Sequence, residues 1–128
     1  MNQPDDDHLR WVREAALAAD DKLATDTIII DVGEVFAVSD HFVVTSGSNP
    51  RQVRAIVDEI EQRVRAAGGP SPVRVEGAED REWVLMDYGP FVVHVFLQAQ
   101  RDFYRLEQLW GDRPRVEWQP ATRDREIS

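Results

Sequence analysis

The segment Asp40-His41-Phe42-Val43-Val44-Thr45-Ser46-Gly47-Ser48-Asn49-Pro50 constrains the fold of this chain most, because it runs a strand straight into a helix. Asp40 to Thr45 is rich in β-branched and aromatic side chains, which suit a pleated, half-buried surface. The next five residues end the strand and start a helix, with Ser48 or Asn49 as cap and Pro50 in the first turn, where its missing N–H is harmless. Val53, Ile56, Val57, Ile60 and Val64 form one helical stripe to about Ala67, and Gly68-Gly69-Pro70 stops it. A helix of this length is sufficient for a parallel crossover, so the sheet is expected to be mixed.

The remaining elements follow from the same two periodicities. From His8, the positions Leu9, Val12, Ala16, Ala19 and Leu23 share a helical face, with Asp5 to Asp7 placed as cap and favourable charge ahead of it. Thr27 to Val32 reads as a buried strand, and Val35, Phe36 and Val38 as a short turn packing beneath the sheet. Three strands come in quick succession, Val73–Glu76, Glu82–Tyr88 and Phe91–Leu97, the last two joined through Tyr88-Gly89-Pro90 as a hairpin. A final helix from about Ala99 to Trp110 buries Phe103, Leu106 and Trp110 and ends at Gly111. The expected architecture is α/β, a mixed five-stranded sheet packed with helices. Residues 8–111 make one domain between a flexible N-terminus, 1–7, and a tail, 112–128, that is mobile except where Trp118 docks.

Composition narrows the function classes. The chain has no cysteine, which removes disulfides, thiolate zinc sites and a cysteine nucleophile together and makes a cytoplasmic location the simplest expectation. It lacks an apolar run of about eighteen residues or a basic leader, so neither membrane nor secretion is expected. Its formal charge is −9, and Lys22 is the only lysine. Such a chain is repelled by phosphate backbones, so DNA is not an expected partner and a basic protein is.

Catalytic readings are weak. His41 and His94 lie within strands and His8 at an exposed helix start, and two histidines with a nearby carboxylate could hold a metal. Their spacing matches no ligand motif, and packing or interaction is the preferred role for His94. Gly47-Ser48 before a helix could cradle a phosphate, as in a small nucleotidyltransferase-like or other phosphate-binding enzyme. The acidic pair such enzymes need is missing, since the next strand reads Val73-Arg74-Val75-Glu76. Ser39, Ser46, Ser48 and Ser71 sit at caps or turns, and no triad is readable.

The strand Glu82 to Tyr88 is different, because Trp83, Leu85 and Asp87 alternate with Val84, Met86 and Tyr88, so that both faces carry large apolar groups. Either the strand is covered on both sides or one face serves a partner, and alternation alone leaves both open. Glu76, Trp83, Asp87 and Tyr88 are the candidate patch: aromatic anchors beside carboxylates that could pair with arginine or lysine.

Several blocks in order carry a family resemblance: Asp31-Val32, Ser39 to Gly47, the helix opening Arg51-Gln52-Val53-Arg54-Ala55-Ile56, Val75-Glu76-Gly77, Trp83 to Gly89, Val92 to Phe96, and Phe103 to Trp110. Together, over about residues 8 to 111, they resemble the ribosomal silencing factor (Iojap) family. The resemblance implies a noncatalytic factor without cofactor that binds the large ribosomal subunit through ribosomal protein L-fourteen. There it would block joining of the small subunit under nutrient limitation, with direct RNA contact at most minor. It also implies a nucleotidyltransferase-like topology without the catalytic carboxylates, a homodimer when free, and a partner surface of Glu76, Trp83, Asp87 and Tyr88. The charged turn Ala78-Glu79-Asp80-Arg81 and the tail from Asp112 depart from the pattern.

Overall fold

The computed structural model describes residues 4–32, 41–104 and 114–119. In chain order the elements are α1 (Pro4–Asp21), β1 (Thr25–Asp31), β2 (His41–Gly47), α2 (Pro50–Ala66), β3 (Arg74–Glu76), β4 (Trp83–Asp87), β5 (Phe91–Leu97) and α3 (Gln98–Tyr104). The strands form one mixed sheet ordered β1-β2-β5-β4-β3, in which β2 and β5 are parallel and the other neighbours antiparallel. The crossover through α2 therefore leads to the far edge, β3, and the hairpins β3-β4 and β4-β5 return the chain to lie against β2.

Local chemistry explains the elements. Asn49 Oδ1 caps α2 by accepting the Gln52 N–H at 2.8 Å. Val53, Ile56, Ile60 and Val64 on α2 are wholly buried, as are Val12, Ala15, Ala16, Ala18 and Ala19 on α1, whose small side chains let the two helices lie close. Both helices cover one sheet face, formed by Ile29, Val43, Val84, Met86, Phe91, Val93 and Val95. Gly47 allows α2 to start tight against β2, since a Cβ there would stand 3.2 Å from Val53 Cγ2 and from Val53 N. The opposite face carries Ile30, Val32, Val44 and Phe96, with Ile28, Phe42 and Trp83 packed beside them.

Some expected boundaries move. Helix α1 begins at Pro4 and not at His8, so Asp5 to Asp7 belong to its first turn instead of preceding it. Apolar periodicity could not register that polar turn, whereas proline needs no N–H at a helix start. The expected turn at Val35, Phe36 and Val38, and the last helix beyond Tyr104 with Leu106, Trp110 and Gly111, lie outside the described residues.

Trp118 docks as expected, and its neighbours extend the sheet. Pro114 O accepts the Asp31 N–H at 2.9 Å, the Val116 N–H donates to Ile29 O at 3.0 Å, and Arg115 stands antiparallel to Ile30. The Trp118 indole N–H donates to Thr27 O at 3.1 Å while its ring packs on the helix-side core, and Arg13 Nε–H holds Glu117 O at 3.0 Å. The segment thus covers the outer edge of β1, where unpaired backbone groups would invite strand addition. Trp118→Ala should lower the unfolding free energy by about 2 kcal/mol. It should also speed hydrogen exchange at the amides of Asp31 and Val116, and unchanged exchange there would show that the indole does not hold the segment.

Candidate functional site

Strand β4 delivers the candidate residues to different faces, as its alternation requires. Trp83, Leu85 and Asp87 are half-buried on the side away from α1 and α2, whereas Val84, Met86 and Tyr88 are buried. In register, Trp83 faces Phe96, Leu85 faces His94 and Asp87 faces Val92 on β5. The Trp83 and Phe96 rings stack with centroids 4.8 Å apart and planes 30° apart. A shallow hollow of about 280 Å³ opens beside them, lined by Glu76, Gly77, Trp83 and Leu85.

The carboxylates gather at one end of this face. Glu76, exposed on β3, pairs with Arg74 at 3.1 Å, and Arg74 also reaches Asp87 at 3.6 Å. The second oxygen of Asp87 accepts the Gly89 N–H at 2.9 Å, which fixes the carboxylate over the hairpin turn. Arg74 therefore bridges the two acids, and being well exposed it forms pairs that solvent weakens and a competing cation can replace. Gly77, at φ +83°, lets the chain turn into the hollow, because a Cβ there would lie 2.1 Å from Trp83 O.

Tyr88 does not join this face, contrary to the sequence expectation. It is 3 % exposed, stacked on Phe91 at 4.6 Å within the helix-side core, and burial pushes its hydroxyl pKa up. The Gly89-Pro90 turn does not redirect it, because Tyr88 N–H already donates to Phe91 O at 3.0 Å and keeps the residue in strand alternation.

Packing or interaction is the role expected of His94, and the structure supplies the geometry. Its Nδ1 accepts the Trp83 indole N–H at 3.1 Å, Phe42 meets it edge-on at 4.8 Å, and it is 5 % exposed. Burial pushes its pKa down to about 4, so the ring is neutral at physiological pH. Leu85 shares this face with Trp83 and Asp87, as strand alternation requires, whereas Arg74 and Phe96 are members that the sequence pattern did not single out. The signal for Phe96 was present in the alternation Val92-His94-Phe96, and that for Arg74 only in the register of β3 on β4.

Among the described residues, the groups weighed for other chemistries are engaged elsewhere. His41 points to the helix side, where its Nδ1 lies 2.9 Å from His8 Nε2, so it and His94 occupy opposite faces and cannot share an ion. His8 is 4 % exposed against His41 and Phe91, not exposed as its helix-start position suggested, because α1 extends four residues further toward the N-terminus. At Gly47-Ser48, the Ser48 N–H and hydroxyl both donate to Gln52 Oε1, at 2.7 and 2.9 Å, and the Gln52 N–H is taken by Asn49. The donors that a phosphate would use are thereby engaged. A larger hollow of about 350 Å³ between α2 and the β3-β4 turn has Arg54 and Asp58 paired with each other on its wall and no aromatic anchor among the described residues.

Fold and site together define an α/β domain whose half-exposed face of aromatic and carboxylate groups has the make-up of a protein-docking surface. Comparison with known proteins identifies the family. Residues 5–128 match the family model described as "Ribosomal silencing factor during starvation". Ribosomal silencing factor RsfS of Bacillus subtilis is 41 % identical over 100 residues, spanning 78 % of this chain and 84 % of that protein. The mouse protein named "Mitochondrial assembly of ribosomal large subunit protein 1" is 31 % identical over 90 residues, spanning 68 % of this chain and 39 % of that one. A crystal structure of a Chromobacterium violaceum protein superposes with a TM-score of 0.76 at 36 % identity, covering 80 % of this chain and 85 % of its own. The chain belongs to the ribosomal silencing factor family. The family model also takes in the tail from Asp112, which the sequence resemblance had left unmatched.

The buried imidazole makes stability depend on pH with a definite sign. The unfolded chain protonates His94 near the ordinary value of 6.5 and the folded chain only near 4. The contribution of the neutral ring is therefore complete above 6.5 and is lost as pH falls toward 4, by about 3 kcal/mol over that window. Unfolding free energies of the wild type and His94→Asn across pH should diverge accordingly, and a constant difference would contradict the burial.

Proposed function

We propose that this chain binds ribosomal protein L-fourteen on the large ribosomal subunit and sterically blocks association with the small subunit, repressing translation under nutrient limitation. Family membership supports the ribosome as the target, and the name of the mouse relative couples this kind of domain to the large subunit. The observation that carries the docking assignment is Trp83, held half-exposed on Phe96 beside the carboxylates of Glu76 and Asp87. An arginine or lysine of a basic ribosomal protein would replace Arg74 at those acids, while the indole and Leu85 bury apolar area. The body of the domain then occupies the subunit interface. Such a mechanism is steric and uses no cofactor, so the reading is of a regulator and not an enzyme.

The topology is read as nucleotidyltransferase-like: strand β2, the Gly47-Ser48 turn and helix α2 follow in that order, and β3 supplies Arg74 where the acidic pair would stand. Self-capping by Gln52 and Asn49 suits a fold that no longer holds phosphate. The free protein is read as a cytoplasmic homodimer.

Trp83→Ala and Asp87→Arg should each weaken cosedimentation with purified large subunits by about tenfold or more, in the range of an interface hot spot. Circular dichroism and thermal unfolding should show both variants folded. Wild-type cosedimentation by both would remove this face from the docking site.

A further inference from the structure

We infer that His94 is a positioning residue for the docking face, its Nδ1 accepting the Trp83 indole N–H and so fixing which edge of the indole the sheet presents to a protein partner. The inference rests on the reading that Trp83 docks, and it adds the residue that aims it. Stacking on Phe96 at 4.8 Å tolerates rotation of the indole within its own plane, whereas a hydrogen bond is directional. The indole N–H sits 3.1 Å from Nδ1, one residue pair along the sheet on the same face.

His94 is itself held tightly. Phe42 meets its ring at 4.8 Å with planes 62° apart, Phe96 stacks at 6.3 Å with planes 15° apart, and only 5 % of the residue is exposed. Because Nδ1 accepts, the proton of the neutral ring is on Nε2. That buried Nε2–H meets no acceptor among the described residues. Phenylalanine would fill the same aromatic surroundings without leaving a polar group unpaired, so packing does not explain a histidine here. The acceptor at Nδ1 does. Burial keeps that acceptor deprotonated at physiological pH, since a charged ring would turn Nδ1 into a second donor facing the indole N–H.

The test compares two variants of the full chain. In His94→Asn, Oδ1 stands the same number of bonds from the backbone as Nδ1 and restores the acceptor. In His94→Phe the aromatic packing remains and the acceptor is gone. Trp83's indole resonance is assigned by its loss in Trp83→Phe, and binding is read by cosedimentation with purified large ribosomal subunits. The wild-type indole N–H should exchange slowly with solvent, and nitrogen chemical shifts of His94 should show the proton on Nε2. His94→Phe should shift that resonance, speed its exchange and weaken binding by about tenfold, the equivalent of about 1.4 kcal/mol. His94→Asn should stay within about twofold of wild type.

An unmoved indole resonance with wild-type affinity in His94→Phe would overturn the inference. So would a proton on Nδ1 in the wild type, a measurement that does not depend on any variant folding. If Trp83→Ala binds normally while His94→Phe still releases the indole, the docking site is wrong and the positioning of the side chain stands.

Discussion

The parallel pairing of β5 against β2 is the constraint on which the rest depends. It places β5 at the centre of the sheet, and period-two alternation then divides that strand: Phe91, Val93 and Val95 into the core under α1 and α2, Val92, His94 and Phe96 to the other side. β4 inherits the division through its register with β5, so Val84 and Met86 are consumed by the core and Trp83, Leu85 and Asp87 are set opposite. A slip of one residue would exchange the two sets. The tight start of α2 at Gly47 and the antiparallel return through β3 keep that from happening, because both ends of the crossover are held.

Much of this was legible in the chain. The stripe of α2, its Asn49 cap, the β4-β5 hairpin and the α/β class all follow from periodicity and turn chemistry. The strand order was not. A crossover helix says that a parallel pair exists, yet the partner of β2 is decided by which later strand can offer two apolar faces, and that is β5, not the short, exposed β3. Tyr88 shows the limit for the site, since alternation placed it with Val84 and Met86, while the glycine and proline after it suggested a redirected side chain. The backbone bond from Tyr88 to Phe91 keeps the alternation. The Trp83-His94 contact was hidden because it joins neighbours across strands, and Arg74 because its role depends on register with Asp87.

The resulting face combines a directional element and an exchangeable one. Trp83 is held by stacking and a hydrogen bond, so little rotamer freedom is lost when it is buried by a partner. The acids are held differently: Arg74 covers them in the free chain through exposed, solvent-weakened pairs, which a better-placed cation can displace at small cost. In the proposed docking, this division would let an acidic chain attract a basic partner through charge and select it through the shape around the indole. Helices α1 and α2, on the far side of the sheet, are left to supply bulk.

The central claim is that the sheet face bearing Trp83, and not the helical side, meets the large subunit. A photo-cross-linking side chain placed at Leu85, with a control at Asp58 on α2, tests it directly when each variant is irradiated with purified large subunits. The account predicts a cross-link from position 85 to ribosomal protein L-fourteen and none from position 58. Cross-links from position 58 with none from 85 would contradict it.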